Sequence, residues 1–458
     1  MREYNVSTEK LIEMDRECLW HHITQHKAFE SKEPPIMVEG HGAYVKDVHG
    51  REYLDALAGG VWCVNAGYGR SSIAEAVHKQ LLQLSYYAGS AGNPPAILLA
   101  KKLTELLPHF QRVYLSNSGS EANEKAFKIS RQYNRLVHPK QDKYKILYRE
   151  RDYHGTTLGA LSATGQGERT KGYEPLVPGF AGIPPVYCYR CPFNKNYPGC
   201  NLECAHALED VIRKEGPDSV GALILEPITA GGGIIIPVDE YFSVIQEICR
   251  KYEVLLIVDE VVTGFGRTGK AFGHSHWEVK PDILTTAKGI TSSYMPLSAT
   301  ITTEELFNAF KHEPQQHLDY FRDISTFGGS AGACAAALEN IKIIEEEELI
   351  LNSARIGNYL ANRLREFADL PMIGDVRGKG LFIGIELVTD KQSKTPASEA
   401  YMAEVVGKVA AEGVLIGKMN RSVPGHNNVL TMAPPLILTQ NEADRIAAAI
   451  QKALESMK

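Results

Sequence analysis

Between about residues 76 and 325, short apolar runs alternate with segments whose apolar residues recur at helical spacing. The runs Arg112 to Leu115, Lys145 to Tyr148, Gly221 to Leu225, Val254 to Val258 and Asp282 to Thr285 lack the in-and-out alternation of a half-exposed strand. Strands covered on both faces need that pattern, so the runs predict a mostly parallel α/β sheet clad in helices. The ends of the chain read differently. Residues 36–57 carry short strand patterns around Gly40, Gly42 and Gly50, and beyond about 335 long amphipathic helices alternate with strands such as Gly380 to Leu387. The two termini are therefore expected to join in one smaller α+β domain, with boundaries at 1–75, 76–330 and 331–458. The Gly/Pro clusters punctuate short elements rather than marking a linker, and no internal repeat or low-complexity tract is present.

Composition sharpens this picture by exclusion. A chain of 458 residues outgrows one hydrophobic core, and 44% hydrophobic with 23% charged residues is the make-up of a soluble globular protein. A net charge of −6 gives no long-range pull toward nucleic acid or anionic lipid, and no apolar run is long enough for a membrane span. Residues 1–10 mix charges and lack an apolar stretch, so no secretory signal is expected. Eight cysteines are too few for a disulfide framework at this length, which favours a reducing cytoplasm.

In open parallel sheets, ligands lie outside the carboxyl ends of the strands. Three of the runs end there in an ionisable group: Leu225 is followed by Glu226, Val258 by Asp259 and Ala287 by Lys288. Any one alone reads as a solvated loop residue, whereas three aimed at one rim read as a site. The run Arg112 to Leu115 feeds Ser118, Gly119 and Ser120, and a helical pattern then continues through Tyr133. Small residues at a helix N-terminus leave backbone N–H groups and the helix dipole free to cradle a phosphate, while an N-cap with a capping box is the simpler reading of the same residues. After Lys145 to Tyr148 come Tyr153 and His154, which bring an aromatic face to the same rim. A phosphate cradle, an aromatic face, a carboxylate and a lysine are what pyridoxal 5′-phosphate (PLP) requires. The lysine forms an imine with the aldehyde, and the carboxylate keeps the pyridine nitrogen protonated, which makes the ring an electron sink.

Two other patterns point elsewhere. Gly264 to Gly269 matches the dinucleotide fingerprint G-x-G-x-x-G but lies several residues past its strand, and no helical period follows it, so NAD is not expected. Cys188, Cys191, Cys200 and Cys204 form a C-x2-C-x8-C-x3-C cluster whose pairs sit close for a zinc ribbon. Structural zinc and reduced thiols in a surface loop are the two readings, and neither bears on catalysis.

In combination these residues resemble the class III, omega-type aminotransferases of the type I PLP fold. The resemblance runs from Gly60-Val61-Trp62-Cys63-Val64-Asn65 through Ser116 to Asn123, Asp152-Tyr153-His154-Gly155, Glu226-Pro227, Asp259 to Gly264 and Lys288-Gly289 to Ser325-Thr326-Phe327 and Ala433-Pro434-Pro435. It implies that Lys288 carries PLP, that Asp259 pairs with the pyridine nitrogen, and that Gly119 and Ser120, beside Ser118, bind the phosphate. It further implies that Tyr153 stacks on the ring, that Val261 packs the opposite face, that His154 and Glu226 flank the cofactor, and that Thr326 reaches the phosphate held by the other subunit of a homodimer. A further pairing of dimers into a tetramer is left open. The stretches Tyr86 to Asn93 and Tyr148 to Thr157 look most like those of taurine:pyruvate enzymes. The expected reaction is then ping-pong transfer from taurine to pyruvate, giving sulfoacetaldehyde and L-alanine. Another omega-amino donor such as β-alanine or a polyamine is the first alternative, and a PLP aminomutase the second. On the substrate side the candidates are Trp62, Tyr87 and Arg421. Arginine's fork suits a sulfonate, and surface solvation is the other reading of Arg421.

Overall fold

The computed structural model describes residues 6–457 apart from 314, 316 and 317, so the first five residues of the stretch read for a secretory signal lie outside it. Three short strands come first: β1 Met37–His41, β2 Tyr44–Asp47 and β3 Glu52–Asp55. Then follow β4 Arg112–Ser116, β5 Lys145–Arg149, β6 Phe180–Ile183, β7 Val220–Leu225, β8 Leu255–Asp259, β9 Ile283–Thr286 and β10 Ser298–Thr302. The last group is β11 Ile373–Gly378, β12 Ile383–Asp390, β13 Thr395–Pro396, β14 Val414–Leu415, β15 Gly417–Lys418 and β16 Val429–Met432.

Strands β4 to β10 form one seven-stranded sheet in the order β4-β10-β9-β8-β7-β5-β6. Strand β10 pairs antiparallel with both β4 and β9, and every other pairing is parallel. All apolar runs read from the sequence are strands here. Every residue of β7, β9 and β10 is buried, as a sheet covered on both faces requires. Strands β6 and β10 were not foreseen. Strand β10 reads Ser-Ala-Thr-Ile-Thr, and its hydroxyls satisfy themselves locally: Ser298 Oγ meets Ser116 Oγ at 2.7 Å, and Thr300 Oγ1 donates to the Ala122 carbonyl at 2.8 Å.

The termini do meet. Strand β14 pairs in parallel with β3 and so joins the C-terminal segment to the N-terminal sheet β1-β2-β3. The remaining C-terminal strands make a second antiparallel sheet in the order β11-β12-β16-β15, with β13 on the side of β12. The predicted strand from Gly380 begins only at Ile383, because Gly380 turns the chain in the left-handed region at φ 56°. The helix Ala331–Glu346 packs against Ser71–Gln83 and Pro94–Leu106, and Leu349–Arg365 packs against Gln440–Glu455. The whole is α/β, a mostly parallel sheet with a smaller α+β part built from both ends. Among the described residues no helix is long and apolar enough to cross a membrane.

The fingerprint-like stretch has no strand-turn-helix setting in the structure. Residues 261–268 run as successive turns, and buried Arg267 ties them to Asn65 Oδ1 at 2.7 Å and the Leu381 carbonyl at 3.1 Å. All eight cysteines are free thiols. Cys188, Cys191, Cys200 and Cys204 line one pocket of about 20 Å3, and among the described residues no three His, Cys, Asp or Glu side chains are grouped to hold a metal ion.

Candidate active site

Because β4, β5, β7, β8 and β9 run in one direction, their carboxyl ends share a rim. At the end of β4, Ser118 caps the helix Gly119–Val137 by accepting the Glu121 N–H at 3.2 Å. The expected capping box closes one residue early, since Glu121 Oε2 accepts from the Asn117 backbone at 2.9 Å. The first N–H groups of the helix, at Gly119 and Ser120, point outward with the positive end of its dipole. Gly119 is needed there: a Cβ on it would lie 2.9 Å from the Val261 methyls. Gly155 meets Ser120 in the same way at φ 145°, where a Cβ would fall 2.4 Å from Ser120 Oγ.

At the end of β8, Asp259 is almost fully buried. Its Oδ1 accepts the Val261 N–H at 3.0 Å, while Oδ2 receives Asn123 Nδ2 at 2.8 Å and lies 2.8 Å from His154 Nδ1. Against a carboxylate, His154 must carry its proton on Nδ1, and its buried Nε2 has no partner among the described residues.

At the end of β7, Glu226 is 3% exposed. Its Oε2 accepts the N–H groups of Tyr153 and Ala230 at 3.0 and 3.2 Å. Burial pushes its carboxyl well above the usual carboxylate range, and the neighbouring carboxylates Asp152 and Asp259 push the same way. Asp152 and Arg149 are both fully buried and paired at 3.0 Å, and Arg149 also donates to the Glu226 carbonyl at 2.7 Å. Asp152 in turn accepts the Glu226 N–H at 3.0 Å. The pair therefore pins the turn carrying Tyr153 to the end of β7. Arg169 stacks over Tyr153, its Cζ 5.7 Å from the ring centroid.

Lys288, two residues past β9, opens a short 3-10 turn in the left-handed region at φ 47°. A lysine held there stores strain of about 1–2 kcal/mol. Buried Asn340 anchors the turn by donating to the Gly289 and Ile290 carbonyls at 2.9 and 3.0 Å. The ammonium has no hydrogen-bond or carboxylate partner among the described residues and lies 5.6 Å from the Trp62 ring centroid. Burial pulls its pKa below the ordinary lysine value, against the opposite pull of Cys63, Glu226 and Asp259.

Thus the structure brings together Lys288, Asp259, Glu226, Tyr153, His154, Val261, Trp62 and Ser118 to Ser120. It leaves three candidates apart from them. Tyr87 is 62% exposed. Thr326 is exposed and lines a cavity of about 430 Å3 together with residues 88–93, 113–115 and 323–325. Arg421 is exposed and paired with Glu399 at 2.8 Å. Asn123 and the Arg149–Asp152 pair carry no role in the sequence reading. For Asn123 a signal existed, because it falls on the buried stripe shared by Ala122, Ala126, Phe127 and Ser130.

These residues fit PLP on three observations. A primary amine stands unpartnered beside a carboxylate fixed by three donors, the glycine step at 119 leaves the helix N-terminus open to an anion, and a buried imidazole nitrogen lacks a donor. The family pattern described as aminotransferase class III matches residues 28–454. The taurine–pyruvate aminotransferase of Bilophila wadsworthia (strain 3_1_6) is 51% identical over 450 residues, 98% of each chain. That of Rhodobacter capsulatus is 50% identical over 449 residues, 98% of this chain and 97% of its own. The crystal structure of a Bacillus anthracis aminotransferase superimposes with a TM-score of 0.94 at 43% identity, covering 98% of each chain. The chain belongs to the class III aminotransferases, with pyridoxal 5′-phosphate as its cofactor.

Proposed function

We propose that this enzyme transfers the amino group of taurine to pyruvate, yielding sulfoacetaldehyde and L-alanine in two half-reactions. What carries the reading is identity of 51% and 50%, over nearly whole chains, with two enzymes named for that substrate pair. Bound PLP supplies an electron-poor ring that accepts the electron pair of a breaking C–H bond next to nitrogen. Lys288 Nζ would take the proton from the substrate carbon and return it on the cofactor side, and burial pulls its pKa below the ordinary lysine value, the direction a general base needs. Asp259 accepts the ring N–H, and His154 steadies Asp259. Ser118, Gly119 and Ser120 receive the phosphate at the helix N-terminus. Tyr153 would stack on one ring face and Val261 would pack the other, with Glu226 near the turn that carries Tyr153.

On the substrate side we place Trp62, Tyr87 and Arg421. To meet a sulfonate, Arg421 must exchange its partner Glu399 for it. The same reading divides the chain into a large domain over 76–330 and a smaller one from 1–75 and 331–458, working as a cytoplasmic homodimer in which Thr326 of one subunit serves the phosphate site of the other. Exposed Tyr86, Ile97, Leu98, Ile324 and Phe327 supply the apolar surface for that contact.

Initial rates with pyruvate across taurine, β-alanine, 4-aminobutyrate and a polyamine test the assignment. Taurine is expected to give the highest kcat/KM. No rate with taurine would remove it, and turnover of one amine without any acceptor would indicate an aminomutase instead.

A further inference from the structure

Asn123 is 1% exposed on the apolar stripe of its helix, a place where an amide is costly unless every polar atom is bonded. Its Nδ2 donates to the His154 carbonyl at 2.7 Å and to Asp259 Oδ2 at 2.8 Å, and its Oδ1 accepts from Thr285 Oγ1 at 2.7 Å. The carbonyl and the carboxylate are acceptors only, so the amide has one allowed orientation, and the fully buried Thr285 hydroxyl must be the donor that enforces it. His154 Nδ1 reaches the same Oδ2 at 2.8 Å, whereas Oδ1 holds only the Val261 N–H at 3.0 Å. One oxygen of Asp259 is therefore saturated and the other is half-used.

We propose that Asn123, oriented by Thr285, is a positioning residue for Asp259: with His154 it occupies Oδ2 and leaves Oδ1 as the oxygen that takes the pyridine N–H. The inference rests on the reading of Asp259 given above. Because the same amide also holds the His154 carbonyl, it fixes the turn bearing Tyr153 against the carboxylate. Asn123 thus couples the stacked face of the ring to its nitrogen edge, across three elements of the sheet layer.

Thr285→Val removes the hydroxyl at nearly constant shape, and Thr285→Ser keeps it. On purified holoenzyme, far-ultraviolet circular dichroism reports the fold, dialysis reports PLP affinity, and the pH midpoint of the visible absorption band reports the nitrogen's environment. The valine variant should fold, bind PLP about tenfold more weakly, because an amide no longer held by Thr285 can turn and lose its hydrogen bond to the charged Asp259, and shift the midpoint. The serine variant should stay within about twofold of the parent by the same reasoning. Should the valine variant not fold, Asn123→Ser carries the same expectations. A valine variant that matches the parent in affinity and midpoint overturns the proposal, as does a serine variant that falls equally far. Asp259→Asn, measured alongside, separates the two layers: if it keeps parental affinity and midpoint, the reading of Asp259 itself fails.

Discussion

At the scale of single residues, the site depends on ionisable groups placed where water cannot reach them. Glu226 is the clearest case: it is 3% exposed, and among the described residues the donors to its carboxyl are two backbone N–H groups. Its folded-state pKa lies well above the ordinary 4.5 because burial disfavours the anion. The folded chain therefore holds this proton more tightly than the unfolded chain does, and the stability it lends is complete below about 4.5 and lost as pH rises through the folded value. Glu226→Gln cannot ionise. In the full-length chain freed of cofactor, the melting temperature of the wild type should fall relative to the variant as pH rises above about 4.5. A difference that is flat, or that grows toward acid, contradicts this assignment. Lys288 stands two residues past β9, and the strand-end positions of Glu226 and Asp259 were legible in the sequence because each directly follows an apolar run. The role of Asn123 was not, since its partners Asp259 and Thr285 stand 136 and 162 positions away.

Among elements, legibility followed hydrophobicity. The five apolar runs became β4, β5, β7, β8 and β9, but β10 hides its burial behind serine and threonine, and β6 is a four-residue edge strand, Phe180–Ile183, containing a glycine. The turn between β5 and the helix Leu158–Ser162 was recognised by its aromatic residue, yet what holds it is the fully buried Arg149–Asp152 pair. Burial of an arginine cannot be read from Tyr148-Arg149-Glu150, which looks like an exposed strand end. Removing one partner of such a pair strands the other charge, so Arg149→Met should destabilise the chain by about 3–5 kcal/mol in denaturant unfolding. Adding Asp152→Asn to it should recover part of the loss. A loss under about 1 kcal/mol for Arg149→Met alone would show that the pair does not secure the turn.

For the molecule as a whole, the sequence pattern anticipated both the parallel sheet and the return of the C-terminus to the N-terminal strands, seen in the pairing of β14 with β3. The surface carries large apolar side chains, including Ile324 at 83% and Phe327 at 65% exposed, with Tyr86 packed edge-on against Phe327. Exposed apolar side chains grouped in this way are what the proposed partner would cover. Under the proposed dimer, Ile324→Asp should sediment as a folded monomer with much reduced PLP retention, because Thr326 adjoins it. A variant that remains dimeric, or a monomer that retains the cofactor as the parent does, argues against a shared site.

The central claim is that the amine of Lys288 carries the cofactor. Reducing the holoenzyme with borohydride, digesting it and locating the pyridoxyl mass by peptide sequencing tests this directly. The adduct is expected on the peptide containing Lys288, with none formed by Lys288→Ala. Recovery of the adduct on another lysine, or of none from holoenzyme, would contradict the account.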